Sequence, residues 1–226
     1  MRTILSIILL CTLTFQVNSQ ELAQVVETPF EQLKVTGNIR LILLPSDTQE
    51  LTFEAVQDQE AIKFESKGNE LILKAKTELK KGPAIQLKLQ YTTLSRIEVN
   101  TGAHVSSADT IKAENFALRA ETGGKAELHV LADSLSARVN QGADIILYGK
   151  TRVQSVNATT WGNYLAYDLD VENTWVKATT GAQVKVNAGN LLDISSTSKA
   201  TVGYWGDPGQ KQISTSVGGE VTQLTE

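Results

Sequence analysis

Val139-Asn140-Gln141-Gly142-Ala143-Asp144-Ile145-Ile146-Leu147-Tyr148 is one unit of a phrase that the chain repeats seven times between Ile97 and Val221. Gly102, Gly123, Gly142, Trp161, Gly181, Lys199 and Gly218 serve as its anchors, with separations of 21, 19, 19, 20, 18 and 19 residues. The residue after each anchor is small: Ala103, Gly124, Ala143, Gly162, Ala182, Ala200 and Gly219. The next position is polar: His104, Lys125, Asp144, Asn163, Gln183, Thr201 and Glu220. Three after the anchor stand Val105, Ala126, Ile145, Tyr164, Val184, Val202 and Val221. Five before it, Ile97, Leu118, Ala137, Val156, Val176, Ile194 and Ile213 form an unbroken apolar column.

A fixed period near 20 with apolar, small and polar columns is the sequence mark of a solenoid, in which each unit buries its inner face only by stacking on its neighbours. Within a unit the chain alternates with period two and favours Val, Ile, Thr and Tyr, so the repeats are strands and not helices. Small residues beside the anchors suit tight corners, where glycine accepts positive φ and alanine crowds little. The expected fold is therefore all-β, a parallel β-helix or β-solenoid of about seven turns. At about 4.8 Å per turn it would make a rod roughly 30 Å long.

Upstream, residues 20–96 read as an N-terminal β cap and residues 97–226 as the repeats. Glu21 to Glu31 reads as a loose lead-in, Leu33 to Leu44 as one alternating strand ended by Pro45-Ser46-Asp47, and Leu51 to Val56 as a second strand. Gln57 to Ala61 is a short connection. Ser66-Lys67-Gly68-Asn69 reads as a hairpin turn between Ile62–Glu65 and Glu70–Ala75. Lys76 to Pro83 reads as a solvated basic loop, and Ile85 to Tyr91 as the strand that leads into the first turn. Such a cap would cover strand edges that would otherwise pair with other chains.

Met1 to Ser19 has the form of a secretory signal: Arg2, an apolar run from Ile4 to Phe15, and Val17-Asn18-Ser19 before Gln20. The alternative, Cys11 as a lipid-attachment site, suffers because Ile8-Leu9-Leu10 lacks small residues before it. Cleavage after Ser19 leaves no cysteine, hence no thiol catalysis or thiolate metal site. The expected location is the periplasm, the outer-membrane surface or the extracellular space. No other apolar segment is long enough to span a bilayer. Of 226 residues, 41% are hydrophobic and 20% charged, which excludes a disordered chain. The mature balance is 20 basic against 25 acidic residues, a net of −5 spread along the chain, so no nucleic-acid partner is expected.

The opening Val35-Thr36-Gly37-Asn38-Ile39-Arg40-Leu41, the Gly68-Asn69-Glu70-Leu71 hairpin, and the corners Thr101-Gly102-Ala103, Thr122-Gly123-Gly124 and Thr180-Gly181-Ala182 carry a family likeness. From about Phe30 to Gly219 the chain resembles the auto-transporter adhesin head domain family, the GIN domain. The resemblance implies a right-handed β-helix-like repeat in an exported bacterial protein, and it brings no catalytic residue with it. Trp161, Lys199 and Val217 depart from the small or hydroxyl residues that the family keeps at its corners.

Chemistry-bearing residues are few. His104 and His129 fall on different rows, so no metal site is expected. Asp168 and Asp170 sit two apart, read as sharing a strand face, with no carboxylate partner in their column. No Gly-x-Ser-x-Gly, phosphate loop or His-Glu-x-x-His occurs. The expectation is a non-enzyme without cofactor. The aromatics are the suggestive set: Tyr148, Tyr167 and Trp205 stand six after their anchors with His129 in the same column, Tyr164 and Tyr204 lie close by, and Trp161 occupies a corner. Exposed, they would bind a glycan or a surface protein; otherwise they are a ladder that stiffens or fills the rod. The candidate binding residues are Tyr148, Trp161, Tyr167 and Trp205. The function expected is an adhesin-like or envelope-associated binding module. The alternatives are a carbohydrate-active enzyme on a β-helix scaffold and a structural, oligomeric part of an envelope assembly.

Overall fold

A computed structural model describes residues 22–54, 58–76 and 83–225; the proposed signal segment, Cys11 and most of the basic loop lie outside them. The strands are β1 (Leu22–Val25), β2 (Gln32–Thr36), β3 (Ile39–Pro45), β4 (Glu50–Phe53), β5 (Ile62–Lys67), β6 (Glu70–Ala75), β7 (Ile85–Tyr91), β8 (Arg96–Asn100) and β9 (His104–Glu121). They continue as β10 (Lys125–Val139), β11 (Asp144–Ala158), β12 (Asn163–Ala166), β13 (Leu169–Ala178), β14 (Gln183–Asn187), β15 (Leu191–Thr197), β16 (Thr201–Trp205), β17 (Gln210–Ser216) and β18 (Glu220–Gln223). One four-residue helix, α1 (Asp58–Ala61), lies in the Gln57 to Ala61 connection.

The register is the one that the repeat phrase implies. His104 pairs with Lys125, Lys125 with Asp144, Asp144 with Asn163, Asn163 with Gln183, Gln183 with Thr201, and Thr201 with Glu220. The apolar column pairs in the same way from Ile97 to Ile213. Six of its seven members are buried. The seventh, Ile213 on β17, is 44% exposed because no winding covers it. Burying a Val, Leu or Ile side chain contributes about 1.5–3 kcal/mol, so stacking is what makes each winding stable.

Each anchor sits in a two-residue turn. The carbonyl of the residue two before the anchor accepts a hydrogen bond from the N–H of the residue after it, as in Ala103 to Asn100 (3.2 Å) and Gly219 to Ser216 (3.0 Å), and likewise at all seven corners. Both central residues have positive φ, the type I′ geometry. Nine non-glycine residues adopt it, and all nine are corner residues, including Trp161 (φ 60), Lys199 (φ 62) and Val217 (φ 51). The departures from the family pattern therefore leave the turn unchanged.

The small residue after the anchor plays a different part from the one expected. It does not carry the positive φ; it fits beneath a neighbouring winding. A Cβ on Gly124 would stand 2.4 Å from the Val99 carbonyl oxygen, and one on Gly219 2.2 Å from that of Ser196.

The N-terminal region contributes windings as well as a cap. β2 pairs in parallel with both β6 and β8, and β3 with both β7 and β9. The spatial order on one face is thus β6, β2, β8, then the second halves of β9, β10 and β11, followed by β13, β15 and β17. On the other it is β7, β3, the first halves of β9, β10 and β11, then β12, β14, β16 and β18. Antiparallel strands close the outer end, β5 on β6, and β4 on β7 with β1 beyond. The stretch read as one strand from Leu33 to Leu44 is two, broken at Gly37 (φ 95), where a Cβ would stand 2.8 Å from Cβ of Ala75. The lead-in before Glu31 is not loose throughout, because Leu22–Val25 pairs with β4. The Gly68-Asn69 hairpin forms as read.

Gly124→Ala should cost about 2–4 kcal/mol, because backbone on a neighbouring winding must move. Gly102→Ala, whose Cβ meets nothing within 4 Å, should cost only the left-handed strain of about 1–2 kcal/mol. Denaturant unfolding of the two variants measures the difference, and equal losses would contradict the packing role.

Candidate binding surface

Alternation decides which aromatics reach solvent. Tyr164 and Tyr204 point inward, so they do not belong to an exposed set: Tyr164 is fully buried and Tyr204 is 5% exposed. The Tyr164 hydroxyl donates to Gln154 Oε1 (2.9 Å), and burial raises its pKa far above the usual range. Gln154 Nε2 donates to Thr174 Oγ1 (3.0 Å) and to the Asn187 carbonyl (3.2 Å), so this buried amide is satisfied on both sides. The Tyr204 hydroxyl reaches Gln223 Oε1 at 3.2 Å.

The outward column survives as an edge of the rod. His129 pairs in register with Tyr148, their rings stacked with centroids 4.9 Å apart and planes 22° apart. Tyr167 and Trp205 meet at 5.5 Å with planes tilted by 43°. Tyr167 is 43% exposed, while Tyr148 and Trp205 are half-buried. Desolvation raises the Tyr148 phenol pKa, helped by Glu127, Tyr167 and Asp168 nearby, so it stays a neutral donor. Two residues before Tyr148 and Tyr167, on the same outward parity, stand the half-buried Ile146 and Leu165, which pair with each other. The result is an outward strip of two ring pairs, His129 with Tyr148 and Tyr167 with Trp205, joined by Ile146 and Leu165 and interrupted at Asn187.

Trp161 is not part of that strip. It stands at the opposite end of β12, 65% exposed, and its ring lies over the next corner, so close that a Cβ on Gly181 would meet Cε3 at 2.8 Å. Trp175, exposed on β13, is not among the residues that the sequence singles out. Its signal was present: it directly precedes Val176 of the apolar column and so takes outward parity.

The carboxylate pair is not a pair on one face. Asp168 lies in the turn before β13, because the chain bends between Ala166 and Leu169. Asp170 is on β13 and holds Lys150 Nζ at 2.8 Å. Asp144 accepts from Asn163 Nδ2 at 2.7 Å. Among the described residues no three His, Cys, Asp or Glu side chains gather as a metal set. His104 and His129 sit on different rows. Partial burial, together with Lys125 and Arg40, lowers the His104 pKa, and its Nε2 has no partner. No helix among the described residues is long and apolar enough to cross a membrane.

A stack of parallel windings with a capped end and side chains in outward stripes defines the class: a β-solenoid. Residues 29–208 match the family model described as "Putative auto-transporter adhesin, head GIN domain", and the chain belongs to that family. Among crystal structures, it is similar to a putative adhesin from Bacteroides fragilis (TM-score 0.77, 15% identity, covering 91% of this chain and 97% of that one). It is also similar to a putative lipid binding protein from Parabacteroides distasonis (0.68, 16%, 92% and 98%) and a putative adhesin from Parabacteroides merdae (0.68, 15%, 91% and 95%). No curated protein matches the chain.

Two predictions follow from the buried groups. Gln154→Leu strands the Tyr164 hydroxyl and should cost about 1–3 kcal/mol, while adding Tyr164→Phe should recover part of the loss; a double-mutant cycle by urea unfolding reads both. For His104 the folded pKa lies below the unfolded value of 6.5, so below that pH the unfolded chain binds more protons. Stability should therefore fall as the pH drops from 6.5 through the folded pKa, and His104→Gln should flatten that limb of the thermal melts.

Proposed function

We propose that the protein is an exported adhesin-like module that holds a glycan or a surface protein against its aromatic strip. Residues 20–96 would wind and cap one end, and residues 97–226 would display the contact face. The observation that carries this reading is the strip itself: Tyr148 and Tyr167 face solvent on adjacent windings beside Ile146 and Leu165, and Trp205, two windings beyond Tyr167 with Asn187 between, leans back to meet the Tyr167 ring. Rings with an apolar body and a polar tip hold sugar faces and protein partners alike. Membership of an adhesin-head family supports a role in surface contact, and the Met1 to Ser19 segment supports export. Trp161 is a separate contact point at its own corner. The rings also stack on one another, so the stiffening role and the contact role share the same residues.

The test is a glycan array and a cell-surface pull-down with the chain from Gln20 onward. Tyr167→Ala and Trp205→Ala should each weaken capture by about tenfold, the worth of one well-packed aromatic contact. Trp161→Ala should weaken it less. Equal capture by wild type and all three variants would remove the aromatics from the proposal.

A further inference from the structure

On the opposite face the winding gathers positive charge that is scattered in the sequence. Arg138 lies in register with Arg119 on one side and Asn157 on the other, and Asn157 with Lys177. Glu98, in the same column, is already held by Lys34 (3.2 Å) and Arg96 (3.1 Å), and Glu121 is held by Arg119. Arg138 has no hydrogen bond or ion pair among the described residues. Glu121 already neutralises Arg119, whereas the Arg138 guanidinium on the directly paired position has no counter-charge among the described residues. Beside them is a shallow hollow of about 210 Å³ lined by Arg96, Ala117, Arg119, Ser136 and Arg138. The small side chains of Ala117 and Ser136 leave it open.

We infer that this face binds an acidic polysaccharide whose carboxylates repeat along the chain, a polyuronate, with the unpaired Arg138 taking one carboxylate and Arg119, through the donors that Glu121 leaves free, the next. The inference goes beyond the aromatic strip and uses none of its residues. Charge selects an anion, and the planar guanidinium fork matches the two oxygens of a carboxylate. Successive windings are about 4.8 Å apart, close to the length of one sugar ring in an extended chain, so the charges of two adjacent rings meet Arg119 and Arg138 on adjacent windings, with Lys177 two windings beyond Arg138. The column beside the arginines runs Ser136, Ser155, Trp175 in register. Serine hydroxyls suit sugar hydroxyls, and Trp175 offers a ring face about two windings from the hollow, where a neighbouring sugar would stack. A nucleic acid or a sulfated chain would meet the same charges, and phosphate also fits the fork, so the serine hydroxyls and the spacing of one charge per sugar ring are what favour a polyuronate.

Direct binding of oligogalacturonate to the chain from Gln20 onward tests this, with neutral galactan, a sulfated glycan and single-stranded DNA alongside. Oligogalacturonate should bind best, and more weakly at high salt, as expected for exposed charges. Arg138→Gln, which removes no internal contact and so should fold, should weaken binding about tenfold or more. Arg138→Lys should restore only part of it, and Trp175→Ala should also weaken it. Trp205→Ala should change nothing, which separates this site from the aromatic strip. Absence of binding, unchanged binding by Arg138→Gln, or equal binding of the sulfated glycan or DNA would overturn the inference.

Discussion

Everything in the molecule depends on successive windings staying in phase, and the corners are where phase is held. At six of them the anchor N–H donates to a carbonyl on the following winding: Gly102 to Thr122, Gly123 to Gln141, Gly142 to Thr160, Trp161 to Thr180, Gly181 to Ser198 and Lys199 to Val217, all at 3.0–3.2 Å. A slip of one residue would break that ladder and turn every inward side chain outward. The left-handed conformation costs a non-glycine residue about 1–2 kcal/mol, yet Trp161, Lys199 and Val217 all adopt it. Strain of that kind persists only where surrounding bonds over-determine it, and here each corner is held within its own turn and by its neighbours.

The repeats were legible because a solenoid writes its contacts as letters at a fixed spacing. The polar column, the column after it and the apolar column five before the anchors are all columns of paired residues in the fold. The N-terminal windings were not legible for the same reason. β2 and β3 insert between β6–β7 and β8–β9, so chain order and spatial order differ, and no constant spacing links Leu33 to Leu71 or Ile97 although they pair. The break at Gly37 was hidden because alternation continues on both sides of it. Gly68-Asn69, a local signal, needed no such knowledge.

For the surface, spacing found the aromatic column but could not say how the rings would lie. Tyr148 and Tyr167 share a phase with His129, whereas Tyr164 and Tyr204 differ from the column by one or three residues and so fall on the buried parity. Trp175 carries the outward parity but belongs to a different column, and counting from the anchors alone passed over it. Asp168 and Asp170 looked like one face because two residues normally separate same-side positions. The turn at Asp168 removes that equivalence.

Charge shows the same limit most clearly. The chain carries more acidic than basic residues, and Arg119 and Arg138 are one repeat apart, far enough in sequence to look unrelated. Winding at a period near 19 converts that separation into direct neighbours on one face, so net charge says little about local field. The inward residues of each winding are fixed by stacking, but the outward ones are free to vary without disturbing it. A solenoid can therefore carry one stripe of rings and another of guanidinium groups on a single core. The backbone ladder fixes the spacing of both stripes, so for any partner the remaining ordering cost would fall on side chains such as the exposed Arg138.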